Sequence, residues 1–104
     1  MPVVTLFWSR FRDDIDESAY RADADRVHAL ARSAPGFISI KTYQAEDGER
    51  LSVVMFETEA QQVDFRKLAE HRAAQQRGRD TYYQSYRLMV CETIRDYGWP
   101  AKPD

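Results

Sequence analysis

The chain is short of the features that mark several common classes of protein. Its single cysteine, Cys91, excludes an intrachain disulfide and fits a reducing compartment. No stretch approaches the roughly 20 apolar residues that span a bilayer. The apolar run at the N-terminus is interrupted by Arg10, too early for a secretory signal. Fifteen Lys and Arg residues nearly balance 17 Asp and Glu residues, so no basic field favours nucleic acid. We therefore expect a cytoplasmic protein that binds neither membranes nor nucleic acid.

Motifs for metals, phosphates and common nucleophiles are also missing. The sequence contains no HExxH pair, no cysteine cluster, no glycine-rich phosphate loop and no GxSxG elbow. Its two histidines, His28 and His71, fall on separate predicted helices, which is a weak arrangement for a metal. We accordingly predict neither a metal nor a bound cofactor.

What is present indicates one globular domain. With 104 residues, 43% of them hydrophobic and 31% charged, the chain can bury a single core. We place the domain at residues 1–97 and a short tail at 98–104. The apolar spacing predicts strand, helix, strand, strand, helix, strand. The predicted strands are 3–11, 37–43, 51–56 and 86–94, the first helix is 16–34, and the second begins at the N-cap Thr58, passes Leu68 and resumes over 71–84.

The predicted hairpin around Asp47-Gly48 is apolar on both faces. In its second strand, Val53 and Met55 point one way while Val54 and Phe56 point the other. Right-handed crossovers place both helices on one face of a ferredoxin-like antiparallel sheet of the α+β class. The second apolar face then needs another sheet, most simply that of an identical chain across a two-fold axis. We therefore predict a homodimer through the sheet face.

Four segments make the chain similar to a known family. They are the Pro35-Gly36-Phe37 opening of a strand, the turn 46–49, the strand-to-helix junction 56–59 and the helical segment 70–76. Over residues 2–97 the chain resembles the antibiotic biosynthesis monooxygenase (ABM) family. This resemblance implies sheets packed back to back as a dimeric α+β barrel, with a pocket between the sheet and the helices of each protomer.

Three alternative functions are open: the first and third are implied by the resemblance, and the second is supported by the missing Asn and by Phe65 at the position of the helix Trp. The first is oxygenation of a small aromatic or quinol-like compound without a cofactor, because an electron-rich phenolate can itself supply electrons to O₂. The second is a non-catalytic homodimer that binds a small apolar ligand for transport or sensing. The third is haem binding or degradation, whose Asn, Trp and His positions fall at Ser9, Phe65 and Gln75. The chain has no Asn at all, which counts strongly against the third function and less against the first.

The candidate site residues follow from the family resemblance and from side-chain chemistry. His71 is the candidate base because an imidazole titrates near neutral pH, although a helix-end histidine is the alternative. Ser9 and Arg72 are the candidate polar contacts, and Phe65 and Tyr83 the candidate walls.

Other residues receive structural interpretations. Tyr82, Tyr83 and Tyr86 either line an aromatic pocket or are core or dimer-contact residues. His28 is interpreted as a surface residue and Cys91 as buried. Trp8 faces the dimer interface if Ser9 faces the pocket.

Overall fold

The described residues form six elements, in the predicted order. The computed structural model describes residues 1–75 and 82–100, and the side chains of 1–69 and 82–100. The elements are β1 (Val3–Phe11), α1 (Glu17–Ser33), β2 (Phe37–Gln44), β3 (Arg50–Phe56), α2 (Glu59–Gln75) and β4 (Tyr83–Glu92). The strands form one antiparallel sheet in the order β2-β3-β1-β4. This arrangement confirms the predicted ferredoxin-like α+β fold.

Both helices begin at a polar N-cap residue. The Asp16 carboxylate accepts a hydrogen bond from the Ala19 N–H at the start of α1. At α2, the Thr58 hydroxyl accepts from the Gln61 N–H at 3.2 Å and donates to the Gln61 Oε1 at 3.1 Å. Thr58 is therefore the cap that the capping-box pattern predicts.

The turn between β2 and β3 is held to the central strand. Gly48 has φ +91°, and the Asp47 carboxylate accepts from the Glu49 N–H. Arg10 of β1 reaches across to Asp47 with a nitrogen–oxygen distance of 2.7 Å. The Glu49 N–H and the Arg10 guanidinium together hold the pKa of Asp47 below its ordinary value.

The end of the second helix and the start of β4 differ from the prediction. The helix α2 runs without a break from Glu59 to Gln75, and β4 already begins at Tyr83. The prediction of a break before His71 is therefore wrong, and so is the prediction of helix as far as residue 84; residues 76–81 lie outside the described part. The early start of β4 follows from long-range pairing, since the Arg12 N–H donates to the Tyr82 carbonyl and Phe11 pairs with Tyr83 across a register shift.

The sheet has one covered and one open face. Val3, Val54 and Phe56 are buried on the covered face, and Ala31 of α1 is fully buried. On the other face Leu6 and its cross-strand neighbour Val53 are only half-buried in the single chain. Alternation along the strands therefore produces the two apolar faces that the sequence predicts.

The interpretation of Cys91 as a buried residue is wrong for the single chain. It lies on the open face, where it pairs with Val4, and its side chain is partly exposed instead of buried.

Two glycines with positive φ allow a matched stability test. At Gly36 (φ +79°) a methyl group would overlap the Gln61 side-chain amide, whereas at Gly48 it would meet nothing. We expect Gly48→Ala to cost about 1 kcal/mol from the left-handed backbone alone, and Gly36→Ala roughly 2 kcal/mol because Gln61 must also leave Thr58. Urea unfolding of both variants measures the difference. Equal losses would contradict the packing of Gln61 against Gly36.

Candidate functional site

A cavity of about 230 Å³ lies between the covered face of the sheet and the two helices. Most of its lining is apolar, including Phe7 and Val54 from the sheet and Val27 and Phe65 from the helices. Alternation along β1 places Thr5, Phe7 and Ser9 side by side on its floor. The cavity therefore occupies the position that the family resemblance implies for a pocket.

Aromatic rings form a wall where β4 begins. Tyr83 meets Phe7 edge to face at 5.5 Å between ring centroids and stacks on Phe11 at 6.1 Å. Tyr20 of α1 joins this group through Phe11 at 4.7 Å and Tyr82 at 5.4 Å. These contacts fix the rings in place, so the wall is preformed.

The opposite side of the cavity is supplied by α2. Phe65 stacks on the fully buried Phe56 at 5.3 Å, and Phe56 meets Phe37 at 6.0 Å. This stack anchors α2 to the sheet and presents the Phe65 ring to the cavity.

Three buried polar side chains lie in the same cavity. Thr5, Ser9 and Gln62 are exposed by only 7%, 6% and 3%, and all three line it. Gln62 went unnoticed in the sequence. Its spacing of three residues before Phe65 was the available signal, because residues three apart share a helix face.

A second set of polar side chains lines the cavity on the side of α1. His28 and Asp23 line the cavity together with Tyr82, whose hydroxyl donates to the Asp23 carboxylate. Asp23 also accepts from Arg26 at 2.9 Å. The interpretation of His28 as a surface residue is therefore wrong. It lies four residues after Ala24, another lining residue, and so falls on the buried stripe of α1.

The electrostatic surroundings of His28 favour its neutral form. Burial lowers the pKa of the imidazole below its ordinary value of 6.5, and the Arg32 guanidinium lowers it further, while Asp25 opposes this shift. The lowered pKa favours the unprotonated imidazole, which is the form that can accept a proton.

The structure brings three of the five predicted site residues together. Ser9, Phe65 and Tyr83 all line the cavity, although their role in binding stays a prediction. His71 and Arg72 lie within α2, but their side chains are outside those described.

The three tyrosines near the start of β4 lie in different surroundings. Tyr82 and Tyr83 line the cavity, whereas Tyr86 contacts Phe7 at 5.7 Å and is 48% exposed. Trp8 points to the open face, opposite Ser9, as predicted.

The described residues contain no group of three His, Cys, Asp or Glu side chains placed to hold a metal ion. Within the same residues, neither helix is long and apolar enough to cross a membrane.

The lowered pKa of His28 predicts a specific pH dependence. Because the folded pKa lies below the unfolded value, protonation favours unfolding, and the stability contributed by neutral His28 is lost as pH falls below about 6.5. We expect His28→Gln to flatten the decline in urea midpoint between about pH 7 and pH 5 relative to the unchanged chain. Parallel curves for the two proteins would contradict the burial of this imidazole.

Comparison with known proteins identifies the fold. No family model matches the sequence. The chain is 28% identical to the uncharacterized protein YqjZ of Bacillus subtilis over 94 residues, which is 90% of this chain and 82% of YqjZ.

Three solved structures share the fold across nearly the whole chain. Rv0793 from Mycobacterium tuberculosis has a TM-score of 0.75 at 20% identity and covers 94% of this chain and 100% of its own. SnoaB, a cofactor-independent oxygenase from Streptomyces nogalater, has a TM-score of 0.71 at 10% identity, with 95% and 97% covered. A putative antibiotic biosynthesis monooxygenase from Nitrosomonas europaea has 0.69 at 13%, with 97% and 94% covered. The resemblance to ABM proteins is thus confirmed at the level of the fold.

Proposed function

We propose that the chain is a member of the ABM family whose cavity binds a small aromatic or quinol-like compound and oxygenates it without a cofactor. One observation carries this proposal. The cavity between sheet and helices is walled by aromatic rings and contains buried polar side chains, in a fold shared with a cofactor-independent oxygenase. Ring walls with few polar groups are typical of sites for small organic ligands.

The size of the cavity favours a small ring compound. Its volume of about 230 Å³ is below the roughly 300–1,000 Å³ of common ligand pockets. A phenol or naphthol fits this scale, and its ring would lie between Phe65 and the wall formed by Phe7 and Tyr83. A haem is much larger, so this cavity does not favour haem binding or degradation.

The proposed reaction balances without a further reactant. A base takes the proton of a phenol, and the phenolate supplies electrons to O₂ as a carbon–oxygen bond forms. The oxygen–oxygen bond then breaks with loss of water and leaves a second carbonyl. One phenol and one O₂ thus give one quinone and one water. His71 remains the base that the sequence predicts, with Ser9 and Arg72 as polar contacts, while His28 is the histidine whose side chain lies at the cavity.

We also propose a homodimer through the open face of the sheet. Leu6 lies at its centre, between its cross-strand neighbours Val53 and Met89. These side chains are partly exposed in the single chain, and Met89 is 36% exposed. Burial against a second copy would remove this apolar surface from water, which is the main source of stability in homodimer interfaces.

The dimer is tested by placing a charge at the centre of the open face. We expect the unchanged protein to be dimeric in sedimentation analysis and Leu6→Glu to be monomeric, because a buried unpaired carboxylate is costly. The matched control, Ala22→Glu, adds the same charge at an exposed position of α1 and should stay dimeric. A monomeric unchanged protein, or a dimer that survives Leu6→Glu, would refute the proposed interface.

Oxygenation is tested with 1-naphthol and anthrone as probe substrates. We expect oxygen uptake with formation of the quinone, and incorporation of label from ¹⁸O₂ into the product. His71→Ala should reduce the rate at least about tenfold if this imidazole is the base, with the fold unchanged by circular dichroism. His28→Gln is the companion variant, since it removes the other imidazole of the chain.

These experiments distinguish an oxygenase from a non-catalytic ligand-binding dimer. Saturable binding of both probes without oxygen uptake would overturn the oxygenase and leave the non-catalytic ligand-binding dimer. Unchanged turnover in His71→Ala together with a tenfold loss in His28→Gln would move the base to α1.

A further inference from the structure

Two basic side chains from facing helices line the cavity. Arg66 belongs to α2 and His28 to α1, and both residues are half-buried. The rest of the lining is mainly apolar. A guanidinium beside apolar surface is costly to desolvate unless an anion or a hydrogen-bond acceptor pairs with it. The partners of these two groups therefore bear on what the cavity binds.

Arg66 differs from the other half-buried arginines of the described chain. The Arg10 guanidinium pairs with the Asp47 carboxylate at 2.7 Å, and that of Arg50 lies 4.9 Å from the centre of the Phe11 ring. Among the described side chains, no ion pair, hydrogen bond or ring contact engages Arg66. The Arg66 guanidinium is thus available to a ligand in the cavity.

The His28 imidazole has no hydrogen-bond partner either within the described part of the chain. Its charged neighbours along α1 are Arg32 and Asp25, which act on it through space. An imidazole N–H donates a hydrogen bond in the neutral as well as the protonated form. His28 therefore offers a donor to an anion whichever form it takes.

The geometry of the two helices places Arg66 and His28 at a similar height above the sheet end. The end of α1 and the start of α2 meet there, because the Glu57 N–H donates to the Gly36 carbonyl at 2.8 Å. From that end, His28 lies about 8 Å back along α1 and Arg66 about 10 Å forward along α2, at roughly 1.5 Å per residue. The two side chains can therefore reach one group of a ligand.

The acidic residue of the lining lies farther along α1 and is already paired. Asp23 is about 8 Å from His28 along the helix axis. Its carboxylate accepts from the Tyr82 hydroxyl and from Arg26 at 2.9 Å. The Arg26 guanidinium offsets its negative charge, so the cavity is basic on the side of Arg66 and His28.

We propose that Arg66 and His28 bind the carboxylate of an aromatic acid whose ring occupies the cavity. Arg66 immediately follows Phe65, so a ring lying against Phe65 directs a substituent towards the guanidinium. A guanidinium pairs with a carboxylate through two parallel hydrogen bonds, which gives both affinity and orientation. This inference rests on the proposed binding of a small aromatic compound and adds an anionic group to it.

The test compares 2-naphthol, 6-hydroxy-2-naphthoate and 6-hydroxy-2-naphthamide, which share the ring system and the hydroxyl. The amide matches the carboxylate in size but carries no charge. Titration calorimetry with the full chain near neutral pH measures the three dissociation constants. We expect the carboxylate to bind about tenfold more tightly than the amide, because charge-assisted hydrogen bonds are stronger than neutral ones. The net charge of -2 does not attract anions, so such a preference would be local.

Adjacent residues of α2 supply the matched variants. Arg66→Gln should abolish the preference for the carboxylate and leave the melting temperature unchanged, because Arg66 has no partner to lose among the described side chains. Lys67→Gln removes the same charge from an exposed position and should keep the preference. Arg66→Lys should retain part of it, since the charge remains without the planar fork.

The contribution of His28 is measured with His28→Leu. We expect the preference for the carboxylate to fall about threefold, because one hydrogen bond is lost while the Arg66 guanidinium stays. An unchanged preference in this variant would overturn the assignment of His28.

The outcomes distinguish this inference from the proposed function. Equal affinities for carboxylate and amide, or equal losses in Arg66→Gln and Lys67→Gln, would overturn the carboxylate site, while binding of 2-naphthol would still support the ligand-binding cavity. A preference that depends on Arg66, without oxygen uptake from any probe, would support the carboxylate site and overturn the oxygenase. Absence of binding by all three probes would overturn both.

Discussion

The register of β1 between β3 and β4 is the constraint on which the rest of the structure depends. Its pairing directs Thr5, Phe7 and Ser9 towards the helices and Leu6 towards the open face. A shift of one residue would exchange the two sets, removing the cavity floor and burying the wrong face. Hydrogen bonds at Asp16 and Thr58 cap the two helices, and an ion pair joins Arg10 of β1 to Asp47 in the turn between β2 and β3. These contacts hold the segments next to the central strands in place.

The cavity that could bind a ligand also lowers the stability of the fold. A chain of this size has only a modest core, and a cavity within it reduces the packing further. Stacked rings around Phe56 and the aromatic group around Tyr83 compensate on either side. The rings of Phe65 and Tyr83 therefore contribute both to stability and to the wall of the candidate site.

Part of the candidate site was predictable from local pattern and part was not. Ser9 and Phe65 were predicted from the positions that the family resemblance implies, and Tyr83 from its aromatic side chain near the last strand; all three line the cavity. His28 and Gln62 were missed because a helix stripe marks a buried face without saying whether that face meets core or cavity. The start of β4 was missed because pairing with Phe11, a distant residue, outweighed the local helical pattern before it.

By itself, the sequence determined the order of elements, the helix caps, the hairpin turn and the presence of two apolar sheet faces. These features depend on local geometry: side-chain alternation, capping chemistry and the backbone freedom of glycine. Only the tertiary structure decided that the helices stand far enough from the sheet to leave a cavity, and that His28, Gln62 and the Asp23–Tyr82 pair lie beside it. The physical reason is that burial and pairing depend on which distant residues meet, and no local pattern encodes those distances.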